Sequence, residues 1–139
     1  MDVMGAVLAE GPEASGEWIK SVVPLSLWGG LDPSSGRVVD RHHPLYGRVV
    51  TGAVLALPGG RGSSTASAVW LEAVRRNTAP AALILGRTDP ILVLGAVVSS
   101  LLYADQRLIV RIAPSDFERM PDSGVAVVHP TGRIDVRTS

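Results

Sequence analysis

Five consecutive residues, Gly60-Arg-Gly-Ser-Ser64, gather the groups that anion binding and proton transfer need. Ser63 and Ser64 bring two hydroxyls, Arg61 brings a guanidinium, and the glycines leave backbone N–H groups open to a ligand. The stretch follows an apolar, β-branched run, Val49 to Leu57, and precedes a helical pattern from Thr65 to about Asn77. A glycine-rich turn between strand and helix sits at the positive end of the helix dipole. It suits an anionic ligand, and it also suits a serine alkoxide. A plain helix cap by Ser64 or Thr65 explains one hydroxyl, but not the second hydroxyl or Arg61. The turn is not a phosphate-binding Walker loop, because no lysine follows its last glycine.

Serine chemistry usually needs a base within hydrogen-bond reach. Here no G-x-S-x-G elbow is present, and three histidines stand far from the turn in sequence. If Ser63 reacts, it acts as a base whose alkoxide is stabilised by N–H groups and a nearby cation. Such a base suits removal of a carbon-bound proton beside a carboxylate. The electrophile that takes a leaving hydroxyl must then come from a partner chain.

Other candidates read more simply. Trp28-Gly29-Gly30-Leu31-Asp32 permits close backbone approach to a ligand or another chain, but in isolation it reads as a tight turn with Trp28 capping the core. His42 and His43 are adjacent on a loop and point in opposite directions, so they do not share a metal; His129 is isolated. Asp32 and Asp40 suit turns. Arg75, Arg76 and Arg87 read as a solvated helix face and loop, and Trp70 as core or interface.

The elements that position these residues follow from periodicity and punctuation. Residues 1–20 mix Gly, Pro, Glu and Ala and read as an N-terminal extension; residues 21–139 read as one domain. Val22 to Leu27 suits an edge strand, Arg37 to Asp40 another, and Arg48 to Leu57 a third. Ala81 to Leu85 and Leu108 to Ile112 are apolar runs of the kind found in buried parallel strands. Asp89-Pro90 places an N-cap before a proline at the first helical position, starting a helix to about Tyr103. Ser115-Asp-Phe-Glu118 reads as a capping box, and Val125–Val128 with Arg133–Val136 as a closing hairpin. The class is α/β, a mixed sheet with packed helices.

Composition narrows the functions. The chain has 139 residues, 13 basic and 13 acidic, so no charge excess favours nucleic acid or an anionic membrane. Aromatics at 4% provide no base-stacking platform. Without cysteine, the chain holds no thiolate metal site of its own. The apolar start lacks a basic flank and the longest apolar stretch is too short to span a bilayer, so a cytoplasmic protein is expected.

Taken together, Pro24-Leu-Ser-Leu-Trp-Gly-Gly-Leu-Asp-Pro33, Asp40 with His43-Pro-Leu-Tyr-Gly47, Gly60-Arg-Gly-Ser-Ser-Thr-Ala-Ser67 and Ala79-Pro-Ala-Ala82 resemble the small subunit, or swivel domain, of the aconitase X family. The resemblance spans about Val22 to Val128. It implies a swivelling β/β/α domain with a mixed or barrel-like closed sheet, pairing with a separate large subunit. In the family the large part holds an iron–sulfur cluster or iron; this chain would bind no cofactor. The resemblance also implies that Ser63 is the catalytic base, with Arg61, Gly62, Ser64 and Thr65 binding substrate. Trp28, Gly29, Gly30, Asp32 and His43 would line the site or the partner interface. Classical aconitases carry arginine where this chain has Thr65, which argues against citrate. The family dehydrates cis-3-hydroxy-L-proline or mevalonate 5-phosphate, and the former is the expectation here. A non-catalytic anion-binding or regulatory module is the alternative of another class.

Overall fold

The structure, a computed structural model, describes residues 1–59 and 65–138. Its elements in chain order are β1 (Asp2–Met4), β2 (Ala6–Ala9), β3 (Ala14–Lys20), β4 (Leu31–Asp32), β5 (Arg37–Val38), β6 (Val54–Leu57), α1 (Ala66–Arg75), β7 (Ala82–Leu85), α2 (Pro90–Tyr103), β8 (Leu108–Arg111), α3 (Pro114–Arg119), β9 (Ser123–Val128) and β10 (Arg133–Arg137). Eight strands form one mixed sheet in the order β1-β10-β9-β3-β6-β7-β8-β2, and β4 pairs only with β5.

The apolar runs in β6, β7 and β8 are parallel to one another and to β3. Their side chains alternate between two cores. Val54, Ala56, Ala82, Ile84, Leu108 and Val110 face one cluster with Trp18, Phe117 and Met120. Leu55, Leu57, Leu83, Leu85 and Ile109 face the other, beneath Trp70, Ala73 and Val74 of α1 and Leu92 and Ala96 of α2. Burial on both faces explains why these strands read as continuous apolar runs.

Residues 1–20, expected as an extension, supply three strands of this sheet. β1 pairs antiparallel with β10 on one edge, and β2 pairs antiparallel with β8 on the other. Only Gly5 separates them, so one short segment joins the two edges and gives the sheet its nearly closed, barrel-like form. Gly5 passes so close to β8 that a Cβ there would lie 2.5 Å from Val110 Cγ1 and 2.6 Å from the Arg111 carbonyl oxygen. β3 was hidden because its buried residues, Trp18 and Ile19, are set among Ser, Gly and Glu.

Val22–Leu27, expected as a strand, is irregular. Both neighbours of β3 are already taken, by β9 and β6. The Ser21 hydroxyl closes a local turn, donating to the Val23 carbonyl and accepting the Val23 N–H. The strand expected over Arg48–Leu57 shrinks to β6, because Gly52 turns the chain with φ +70°. The strand expected over Arg37–Asp40 shrinks to β5.

The helices follow their punctuation closely. α1 buries Ala66, Trp70, Ala73 and Val74. It ends at Asn77, whose φ of +59° lets Thr78 N–H reach the Ala73 carbonyl and Asn77 N–H reach Val74, a Schellman closure. α2 begins at the expected Asp89-Pro90 pair, the Asp89 carboxylate accepting from Ile91 and Leu92 N–H at 3.1 and 3.3 Å. The capping box expected at Ser115 is absent: α3 starts one residue earlier, with Pro114 in its first turn and Ala113 before it. The C-terminal hairpin forms as β9 and β10, with Ile134 opposite Val128.

Candidate functional site

In a parallel sheet, loops at the carboxyl ends of the strands collect ligand-binding groups. Three such ends meet here. Gly86 N–H donates to the Leu57 carbonyl, and Ile112 N–H donates to Leu85, so the segments leaving β6, β7 and β8 lie side by side. Ser21 N–H donates to Ala56, which brings the end of β3 to the same edge. Pro58-Gly59 leads from β6 toward the glycine–serine turn. Arg61, Gly62, Ser63 and Ser64 lie outside the described residues, which resume at Thr65, at the N-terminus of α1.

Thr65 is already helical in backbone (φ −77°, ψ −12°), and its side chain makes no capping hydrogen bond. Its carbonyl accepts from Ala68 and Val69 N–H. Capping by Thr65 therefore does not account for the turn. The first turn of α1 also contains no acidic residue, so no carboxylate of the helix offsets its dipole there.

Sequence reasoning missed one residue at this edge. Arg87, read as part of a solvated loop, leaves β7 directly beside Gly59. Its Nε, Cγ and Cδ come within 3.0, 3.2 and 3.6 Å of where a Cβ on residue 59 would stand. Glycine at 59 leaves room for the arginine side chain to pass this close to the backbone. A cleft of about 280 Å³ opens there, lined by Pro58, Gly86, Arg87 and Pro114. The signal in sequence was faint: an arginine after an apolar strand, three residues before Pro90.

The remaining candidates separate. His43 is buried, with Nε2 3.1 Å from the Val23 carbonyl and Nδ1 accepting from Leu45 N–H at 3.0 Å. The Leu45 bond requires an unprotonated Nδ1, so the proton sits on Nε2, which donates to Val23. Both ring nitrogens are spent on tying its loop to the segment after β3, and His43 has none free for a base or metal. His42 is exposed. Trp28 does not cap the core: it is 61% exposed, while Leu25, Leu27 and Leu31 around it are buried. Gly29 has φ +76°, and Gly30 packs against the Ser26 carbonyl.

Asp32 sits away from the turn. Its carboxylate accepts from Ser34 N–H and from the hydroxyls of Ser34 and Ser35. These bonds, led by the Ser34 hydroxyl, hold its carboxyl below the usual aspartate value. The next residue, Pro33, accepts from Thr78 just past the end of α1. Asp32 therefore lies at the opposite end of α1 from Thr65, about 15 Å away along a ten-residue helix. Arg75 and Arg76 both pair with Glu72 on the solvated side of α1, and the Arg75 hydrogen bond leads the lowering of the Glu72 carboxyl. Trp70 is wholly buried, and among the described residues its Nε1 has no hydrogen-bond partner.

Among the described residues no group of three His, Asp or Glu side chains is placed to hold a metal, and the chain has no cysteine. The residues present do not fit an iron–sulfur cluster. No helix among the described residues is long and apolar enough to cross a membrane.

Known proteins share this arrangement. The family model for the aconitase X swivel domain matches residues 3–136. A cis-3-hydroxy-L-proline dehydratase of Pseudomonas aeruginosa is 53% identical over 90 residues, which are 65% of this chain and 16% of that protein. A phosphomevalonate dehydratase small subunit of Methanothermobacter thermautotrophicus is 41% identical over 106 residues, covering 76% of this chain and 80% of that one. The chain thus spans about a sixth of the first relative and four fifths of the second. The crystal structure of aconitase X from Thermococcus kodakaraensis superposes with a TM-score of 0.86 at 29% identity, covering 99% of this chain and 98% of that chain. The match takes in the N-terminal strands as well as the helices and the carboxyl-end edge of the sheet, and this chain belongs to the aconitase X swivel-domain family.

Proposed function

We propose that this chain is the serine-bearing small part of a cytoplasmic aconitase X-type hydro-lyase, acting on cis-3-hydroxy-L-proline. Identity of 53% to a dehydratase of that substrate is the observation that carries the reading. Ser63 takes the Cα proton, the C–H electron pair becomes the ring double bond, and the C3 hydroxyl leaves with its bonding pair as hydroxide, which becomes water by taking a proton. The enamine formed then tautomerises to a pyrroline-2-carboxylate. The backbone of Gly60–Thr65 and the positive end of α1 stabilise the serine alkoxide, with Arg61, Gly62, Ser64 and Thr65 around the substrate. The acid that assists departure of the hydroxyl belongs to a larger, iron-bearing partner, since this chain has no ligand set for one. The outer face of α2, where Leu94, Val97, Leu101 and Leu102 are 46–79% exposed without a charged residue in the helix, is the kind of surface such a part covers.

The test is assembly with the large subunit and assay of both family substrates. This chain alone is expected to be inactive. In the complex, Ser63→Ala is expected to abolish turnover while assembly persists; full activity of that variant would refute the assignment. Dehydration of mevalonate 5-phosphate instead is the second reading, supported by the 80% coverage of a free-standing small subunit. Turnover of that substrate alone would select it. Anion binding by the isolated chain, with no turnover on either substrate after assembly, would select a regulatory module.

A further inference from the structure

We infer that Arg87 binds the acid group of the substrate, taking the place of the arginine that Thr65 does not supply. The inference rests on the dehydratase reading above, and on three observations. First, Arg87 lies against Gly59, the last described residue before the glycine–serine turn, at the shared edge of β6, β7 and β8. Second, its side chain is exposed and has no hydrogen bond or ion pair among the described residues. Arg37, Arg48, Arg75, Arg76, Arg107, Arg119 and Arg133 are engaged by carboxylates or carbonyls; Arg41, Arg111 and Arg137 lack such a partner among the described residues too, but none of them lines the cleft beside Gly59. Third, the cleft it borders is otherwise lined by Pro58, Gly86 and Pro114, which offer an anion no competing cation.

The chemistry suits the role. A guanidinium presents parallel N–H donors that match two oxygens of one acid group, so it fixes orientation as well as charge. The stem passes close beside the Gly59 backbone, which brings the guanidinium to this edge. Gly86, held by its bond to Leu57, sets where that stem starts. Both substrates of the family, a carboxylate and a carboxylate with a phosphate, carry the oxygen pair this fork accepts.

The assembled dehydratase provides the measurement, with whichever of cis-3-hydroxy-L-proline and mevalonate 5-phosphate it turns over. Arg87→Ala is expected to raise KM tenfold or more while kcat falls less than threefold, the pattern of lost ground-state binding. Arg87→Lys should recover part of the loss. KM within twofold of wild type in Arg87→Ala would overturn the proposal, as would an equal loss in both variants confined to kcat. Should neither substrate react, the dehydratase reading fails separately, and the isolated chain decides on Arg87. Titration with acetate and with inorganic phosphate is then followed by nitrogen NMR at Arg87 Nε and the Gly59 and Gly86 amides. Saturable shifts that vanish in Arg87→Ala sustain the site, and the tighter anion tells carboxylate from phosphate. Absence of shifts at 50-fold excess of each anion over the chain's own concentration, at about tenfold steps, or shifts that survive in Arg87→Ala, overturn it.

Discussion

β6–α1 and β7–α2 are one strand–turn–helix unit built twice, side by side, with their helices packed on the same face of the sheet. Their helix starts differ. α2 is closed by its own Asp89, a buried carboxylate that accepts from the first turn, with proline in the next position. α1 starts without a side-chain cap from Thr65 and without an acidic residue in its first turn. Two positive helix ends thus face the same edge of the sheet, and among the described residues a side-chain carboxylate caps only that of α2. Under the proposed function, a carboxylate closes the helix that needs only stability, and none stands in the first turn of the helix beside which a negative group would form or bind. Arg87, on the link between β7 and α2, then adds a positive group to the edge that Asp89 has closed.

Moving a carboxylate from one unit to the other breaks the contrast most directly. Thr65→Asp places a negative charge at the start of α1. The helix should keep its stability or gain a few tenths of a kcal/mol. Turnover in the assembled enzyme should fall about tenfold, since about 1.4 kcal/mol of lost alkoxide stabilisation has that effect. Unchanged kcat, with thermal unfolding confirming a folded chain, would show that the lack of a carboxylate in the first turn of α1 has no part in catalysis. The reverse change, Asp89→Ala, should cost about 1–2 kcal/mol in urea unfolding and alter kcat per folded molecule by less than threefold. A larger loss of kcat than of stability would mean the two helix starts are not separable.

The two units also show what could be seen before any coordinates. α1, β7, α2, β8 and the closing hairpin were legible because apolar period, Asp-Pro punctuation and turn residues all agreed. The glycine–serine turn stood out as a candidate because its hydroxyls and cation exceed what a cap requires, and it lies outside the described residues. The N-terminal strands were not legible. Their role depends on meeting β10 and β8, more than a hundred residues away in sequence, and no local pattern records that. Arg87 was missed for a related reason. Its importance comes from lying across Gly59, a contact made only when β6 and β7 align. His43 and Asp32 differ again: their polar groups were visible in the sequence, and in the fold neighbouring backbone and serine groups engage them.

Asp32 marks the small end of the scale and tests the far end of α1. Its carboxylate, like that of Asp89, is consumed by its own chain, but in an exposed turn beyond the helix C-terminus. Ser34 and Ser35 hold its folded pKa below the ordinary 3.8. A depressed carboxylate contributes stability that is complete above the unfolded pKa and is lost as pH falls through the folded one. Asp32→Asn keeps the turn geometry and removes the charge. The thermal midpoint of the variant should therefore lie slightly below wild type by a constant gap from pH 7 to 5, and the gap should close below pH 3.8. Turnover at neutral pH should stay within twofold of wild type. A gap that persists in acid would show that the amide disturbs the turn itself. A loss of turnover like that expected for Thr65→Asp would mean that the two ends of α1 are coupled, and that the charge at its N-terminus is not what sets the site apart.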